Sequence, residues 1–358
     1  MLNKLVAGLV LFGAGFIGVS YYVSMPVVDG VREDQPFVIA DSSQALTFAR
    51  TAASLILVSD HGGESLRGVN LTKIYGGDAT QDLFTFLEMF DVSALAETGA
   101  ALESFAIDEL IQPATYPYPS VAAGTNFREH AEEVYSDDPP FLFPKLVEAG
   151  SWNQAIPFVA RLDFEAEICA FPLDDVRPNE PKPRFGIVLC NDFTDRWSLV
   201  SEIALDEPLG RTGFATGKGC NGCLPTGYLV VIPQDPDFYR SISAELFVND
   251  GRLQAFSLTE MILSLDEIVD KALNDAAMLY QQGDNTVPLL PSDHIPKGTL
   301  ILMGTGPGVL FKPLNIWGQQ FYLQAGDVVR TQATYLGHLI NRIELRKSPK
   351  TPCVYFVP

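Results

Sequence analysis

Residues 162–171 read LDFEAEICAF. Leu162, Phe164, Ala166, Ile168 and Ala170 alternate with Asp163, Glu165, Glu167 and Cys169, a period of two that predicts a strand with one apolar face. The other face carries Asp163, Glu165 and Glu167, spaced roughly 7 Å from one Cα to the next. Like charges in a row repel unless something positive lies between them, and a hard divalent cation with oxygen ligands meets that need. A solvated strand face is the alternative for any isolated Glu-x-Glu. Asp192 follows the apolar run of residues 185–191 (FGIVLCN), and an acid at the end of a buried strand is well placed as a further ligand. Glu165, Glu167 and Asp192 together leave about three positions of an octahedron for water and substrate, which suits Mg²⁺, with Mn²⁺ or Ca²⁺ as alternatives. A base candidate lies upstream. His130 and Glu133 are three residues apart on a helical turn and share a face. A carboxylate beside an imidazole fixes its tautomer and raises its basicity. The alternative is a surface histidine in an acidic run, since Glu129, Glu132, Asp137 and Asp138 lie nearby.

Further segments keep the same company: GTNFREH at 124–130, NDFTDR at 191–196, GKGCNGCLPTG at 217–227, PKGTLILMGTGPG at 296–308 and LQAGDVVRTQATYLGHLIN at 323–341. In this order they resemble the fumarylacetoacetate hydrolase family. That family shows GxNYxxH, a DYExE strand, NDxSxRD, KGxDxxxP, GDxIxTGTPxG and a closing strand pair. The resemblance covers about residues 111 to 346. It implies that Glu165, Glu167 and Asp192 are the metal ligands and that His130 and Glu133 form a water-activating dyad. It implies a catalytic or substrate-facing Lys218, and substrate contacts from Arg196, Thr305 and Lys145. Asp163 matches the aspartate of DYExE and is expected to order the site rather than bind the ion. There are departures. Trp197, Asn221, Met303 and Gly306 stand where the family has an acid, an aspartate, a threonine and a proline, and Ala123 stands where some members have a fourth carboxylate. They leave the metal and the base intact and put the substrate in doubt.

The implied activity is hydrolysis of a carbon–carbon bond in a β-diketo acid of the fumarylacetoacetate or acylpyruvate type. Decarboxylation or isomerisation of a 2-oxo acid on the same site is the first alternative. A non-catalytic, membrane-tethered binding protein on this fold is the second. A small oxo acid is the expected partner, and a homodimer the expected assembly.

The chain of 358 residues is 47% hydrophobic with a net charge of −20. That balance argues against nucleic acid or an anionic membrane surface as the main partner. It says little about a metal-filled pocket, where the ion is the largest local charge. Residues 5–23 carry no charge, and a helix of that length spans about 28 Å, close to the thickness of a bilayer core. Tyr21 and Tyr22 fall where an interfacial aromatic belt would sit. The expectation is therefore a single-pass amino-terminal anchor with the body outside the cytoplasm, or alternatively a cleaved secretory signal. The five cysteines, an odd number, do not read as a disulfide framework. Cys169 and Cys190 read as small core residues. Cys220 and Cys223 form a CxxC that fills small loop positions, with a local disulfide as an option in an oxidising compartment.

The expected organisation is an anchor or signal at 1–25, a small variable domain with its tether at 26–110, a catalytic domain at 111–349 and a tail at 350–358. A helix is expected over 42–58, a strand over 69–75 and helices over 82–90 and 261–280. Residues 281–295 read as an insertion turning at Gly283, Asp284 and Asn285. His61, beside two glycines, reads as a solvated turn histidine. The fold class is α+β and β-rich: a β-roll or mixed β-sandwich catalytic domain, a smaller amino-terminal domain and an amino-terminal transmembrane helix.

Overall fold

In the computed structural model the apolar runs pair as strands; it describes residues 21–345 except 23, 33–36, 92–94 and 96–99. Two sheets dominate the described residues. The larger runs, edge to edge, through Leu102–Ala106, Ser65–Asn70, Leu55–His61, Ala45–Thr51, Thr226–Pro233, Phe185–Asn191, Ala166–Pro172, Ile301–Thr305, Ser120–Gly124 and Phe141–Lys145. Its neighbours are antiparallel except Ile301–Thr305 beside Ser120–Gly124, which is parallel. The second sheet contains Gly251–Ser257, Ser243–Val248, Val328–Ala333 and Gly337–Glu344 at its centre. Strands of the two sheets touch, Thr226–Pro233 and Phe185–Asn191 against Gly337–Glu344, and one apolar core is continuous through both. The chain is β-rich with mixed sheets, as expected.

Burial on both faces explains where the periodicity misleads. Residues 42–58 form no helix. They supply the strands Ala45–Thr51 and Leu55–His61, paired through Phe48 and Leu57. Ala45 to Ala49 are all buried, so this strand shows no polar face from which a period of two could be read. The expected strand at 69–75 ends instead at Asn70, whose side chain caps the short helix Leu71–Tyr75. Strands from both sides of residue 110 share the large sheet, which therefore does not break at the expected domain boundary. The helix Leu83–Met89 starts where Asp82 caps it, and Leu265–Asn274 starts at a capping box of Ser264 and Glu267. Residues 279–288 form a hairpin around Gly283 and Asp284.

Two expectations are corrected here. His61 is not solvated. It is buried, with Nε2 2.8 Å from the hydroxyl of Tyr228, which in turn lies 3.1 Å from Nδ1 of His338. Burial lowers the pKa of both imidazoles, that of His338 to about 3. The membrane anchor and membrane location are also corrected: no helix among the described residues is long and apolar enough to cross a bilayer. Most of the candidate segment, residues 5–20 and 23, lies outside the described residues, as does the tail at 350–358. Tyr21, expected at a lipid interface, instead sets its ring 5.3 Å from that of Phe321.

Candidate active site

The strand bearing the acids is interrupted. Leu162–Asp163 pairs with Thr194–Asp195, and Ala166–Pro172 pairs with Phe185–Asn191. Between them the backbone N–H of Glu165 donates to Asn191 Oδ1 at 3.1 Å, and that of Ala166 donates to Gln254 Oε1 at 2.9 Å. Two buried amides therefore hold the stretch that the ladder leaves free. The Asp192 N–H donates to the carbonyl of Glu165 at 2.9 Å, which ties the two acid-bearing segments together. The result brings one carboxylate oxygen each of Glu165, Glu167 and Asp192 within 4.8 Å of one another, all buried.

Three buried cations surround this cluster. Arg196 donates to Asp163 at 2.8 Å and to Glu165 at 2.6 Å. Lys218 donates to Glu165 at 2.5 Å, to Asp192 at 2.8 Å and to the Thr194 hydroxyl at 3.1 Å. Lys145 donates to the other oxygen of Asp192. Burial pushes the Glu165 carboxyl up, but Lys218 and Arg196 outweigh it and hold its pKa down to about 2. Burial pushes Lys218 down, and Asp192 and Glu165 outweigh that, so its pKa is raised. Glu167 differs. It accepts the Gly304 N–H at 2.7 Å, and among the described residues it has no ion-pair partner. Burial and then the charges of Asp192 and Glu165 push its pKa well up. An oxygen-only, buried donor set with one carboxyl short of positive charge fits a hard divalent cation.

Asp163 is saturated by the N–H groups of Phe164, Leu310 and Phe311 as well as by Arg196. It ties the 310–311 loop to Arg196. Thr305, opposite Glu167 in the sheet, donates to the Ala166 carbonyl at 2.8 Å and accepts from Gln254 Nε2 at 2.9 Å.

His130 lies on the helix Arg128–Glu133, with Nδ1 3.4 Å from Glu133 Oε2. Glu133 also accepts the Gly308 N–H at 3.0 Å and pairs with Lys312. Burial raises its pKa, but His130 and Lys312 together bring it below the usual carboxylate value. A cavity of about 330 Å³ opens above the cluster, and His130, Glu165, Arg196, Lys218 and Thr305 line it. Lys145 does not reach this wall. It is fully buried beneath Asp192, so its place is that of an ion-pair partner.

Three contributors escape sequence reading. Gln254, Asn191 and Lys312 carry no chemistry of their own, and only the polar residue inside the LQAF run hints at a buried amide. The cysteines also fall differently from expectation. Cys169 and Cys190 form a disulfide across the Ala166–Pro172 and Phe185–Asn191 strands, where Cys190 is the register partner of Glu167. Cys220 and Cys223 are both buried, and they fill small loop positions as expected.

Comparisons with known proteins place the chain in a family. The family described as Fumarylacetoacetate (FAA) hydrolase C-terminal matches residues 120–344. An uncharacterized protein of Staphylococcus epidermidis is 26% identical over 248 residues, 66% of this chain and 71% of its own. Among solved structures, a fumarylacetoacetate hydrolase of Exiguobacterium antarcticum is similar with a TM-score of 0.57 at 18% identity, covering 85% of this chain and all of its own. A 2-hydroxyhepta-2,4-diene-1,7-dioate isomerase of Mycobacterium marinum is similar at 0.52 and 17%, with the same coverage. At such identities these two speak for the fold alone. The family match spans every element that places the acids, the cations and His130, and by it the chain belongs to the fumarylacetoacetate hydrolase family.

Proposed function

We propose that this protein is a divalent-metal-dependent hydrolase that cleaves a carbon–carbon bond in a 2,4-dioxo acid. The observation that carries the reading is the buried trio Glu165, Glu167 and Asp192, whose Glu165 lines a cavity also lined by His130, with Glu133 behind His130 at 3.4 Å. The trio would hold Mg²⁺ or Mn²⁺, and what such an ion supplies when bound is Lewis-acid stabilisation of negative charge on substrate oxygen. His130 takes one proton from water, and Glu133 keeps the imidazole oriented while it does so. The water oxygen bonds to the outer carbonyl carbon, and the bond between that carbon and the central one breaks. The electron pair stays on the departing fragment as an enolate, which then takes a proton. The products are a carboxylic acid and a 2-oxo acid. Lys218 and Arg196, at the floor, hold the 2-oxo acid carboxylate, and Thr305 lies within the same wall.

The test is a screen of the purified full chain with Mg²⁺ or Mn²⁺ against an acylpyruvate, oxaloacetate and an unsaturated 2-oxo acid. Metal-dependent release of carboxylic acid and 2-oxo acid is expected. Carbon dioxide from oxaloacetate alone, or a shifted double bond alone, would replace hydrolysis by decarboxylation or isomerisation.

A further inference from the structure

The cavity is lined by a charged group of residues and by an apolar one. The helix Arg196–Glu202 starts at Asp195, whose carboxylate accepts the Ser198 N–H at 3.0 Å. Arg196, Leu199, Val200 and Ile203 follow the 3, 4, 7 spacing of one helical stripe. The first of them meets the buried carboxylates, and the other three line the cavity. The same cavity is lined by the rings of Phe141, Phe143 and Phe214, with centroids 4.9 Å apart for Phe141 and Phe214 and 5.3 Å for Phe143 and Phe214. Phe141 is closely packed. A Cβ at Gly124 or at Gly210 would lie 2.3 Å from the Phe141 ring, so both glycines make room for it. The charged groups that line the cavity are His130, Glu165, Arg196, Lys218, Asp137 and Asp138. The lysine and the arginine among them are paired with Glu165 and, in the function proposed above, serve the 2-oxo acid carboxylate. The exposed Asp137 and Asp138 add only negative charge.

We infer that the site takes 2,4-dioxo acids whose acyl group is apolar, alkyl or aryl, and discriminates against those with a second, terminal carboxylate. The inference rests on the function proposed above. A carboxylate among Leu199, Val200, Ile203 and the three rings would be desolvated without a partner, while each methylene placed there gains by burial.

The experiment compares acetylpyruvate, hexanoylpyruvate, benzoylpyruvate and fumarylpyruvate with the Mn²⁺-loaded full chain. We expect kcat/KM to rise by about fourfold for each added methylene until the cavity is full, and fumarylpyruvate to fall below hexanoylpyruvate by at least about tenfold. Val200→Arg puts a cation into the half-buried stripe and should narrow that preference by about tenfold or more. Higher kcat/KM for fumarylpyruvate, or an unchanged preference in a folded Val200→Arg protein, would overturn the inference and leave the proposed function standing. A binding arm separates the two readings where no substrate turns over. Calorimetric titration of the Mn²⁺-loaded protein with 2-oxooctanoate and with 2-oxoadipate should still favour the former. That preference without turnover would sink the hydrolase reading alone, and equal or reversed affinities would sink this one.

Discussion

Replacing Lys145 with Met tests whether this lysine serves the carboxylates rather than the substrate. Met keeps the length of the stem and fills an irregular slot well, so packing is preserved while one charge is removed. Lys145 and Asp192 are both fully buried, and breaking such a pair by removing one partner costs about 3–5 kcal/mol. Asp192 retains Lys218 at 2.8 Å, which places the expected cost at the lower end, about 3 kcal/mol. A change of 1 kcal/mol moves Tm by about 2–4 °C in domains of 150–250 residues, so a fall of about 6 °C is expected for this larger chain. A cation bound by the trio offsets the lost ammonium. Saturating Mn²⁺ should therefore raise the Tm of the variant more than that of the parent. Differential scanning fluorimetry in metal-free buffer and with Mn²⁺ reads both effects. A variant within about 1 °C of the parent without metal, or a deficit that saturating Mn²⁺ leaves unchanged, would refute the reasoning.

The dyad makes a kinetic prediction: His130→Gln loses about 10² to 10⁴ in kcat while keeping fold and metal, Glu133→Gln loses less, and the double variant is far from additive. Steady-state rates with metal content measured in parallel decide it, and near-normal hydrolysis by His130→Gln would remove His130 as the base. Glu167, whose pKa is raised by burial and by its acidic neighbours, binds its proton more tightly folded than unfolded. Metal-free protein should lose that contribution as pH climbs from about 4.3, the ordinary glutamate value, through the raised one, while Mn²⁺ should abolish the loss and release a proton as it binds; thermal scans from pH 4 to 8 with and without Mn²⁺ would contradict this if the two curves ran parallel. Thiol labelling and peptide mapping of the denatured, unreduced protein should leave Cys169 and Cys190 unlabelled and label Cys223, and labelled Cys169 and Cys190 would refute the disulfide between the two strands.

The sequence is informative where a property is local and opaque where it depends on register. The alternation around Glu165 and Glu167, the Asp82 and Ser264 caps and the position of Asp192 at a strand end are all visible within a few residues. Pairing between strands is not. That Cys190 sits opposite Glu167, close enough for its neighbour Cys169 to form a disulfide with it, depends on a register that no local pattern encodes. The burial of His61 depends on Tyr228 and His338, residues more than 150 positions away. The strand at Ala45–Thr51 reads as helix because both its faces are covered by elements distant in the chain. Lys145 reads as a substrate contact because a lysine near the site looks the same whether its ammonium points into a cavity or beneath a carboxylate.

The charges of the floor limit what can bind there. Four buried carboxylates, Asp163, Glu165, Glu167 and Asp192, stand against three buried cations, Lys145, Arg196 and Lys218. With all of them ionised one negative charge is left over, and the raised pKa of Glu167 marks where the imbalance falls. Glu133 and Lys312 cancel each other nearby and do not alter the count. A dication would reverse the excess to a single positive charge, which one substrate carboxylate neutralises. A second carboxylate on the same molecule would restore an unpaired negative charge inside a wall of leucine, isoleucine and phenylalanine, where burial without a partner is costly. Charge balance at the floor and apolar surface on the Leu199, Val200 and Ile203 stripe thus select independently for the same ligand, a monocarboxylate with an uncharged tail.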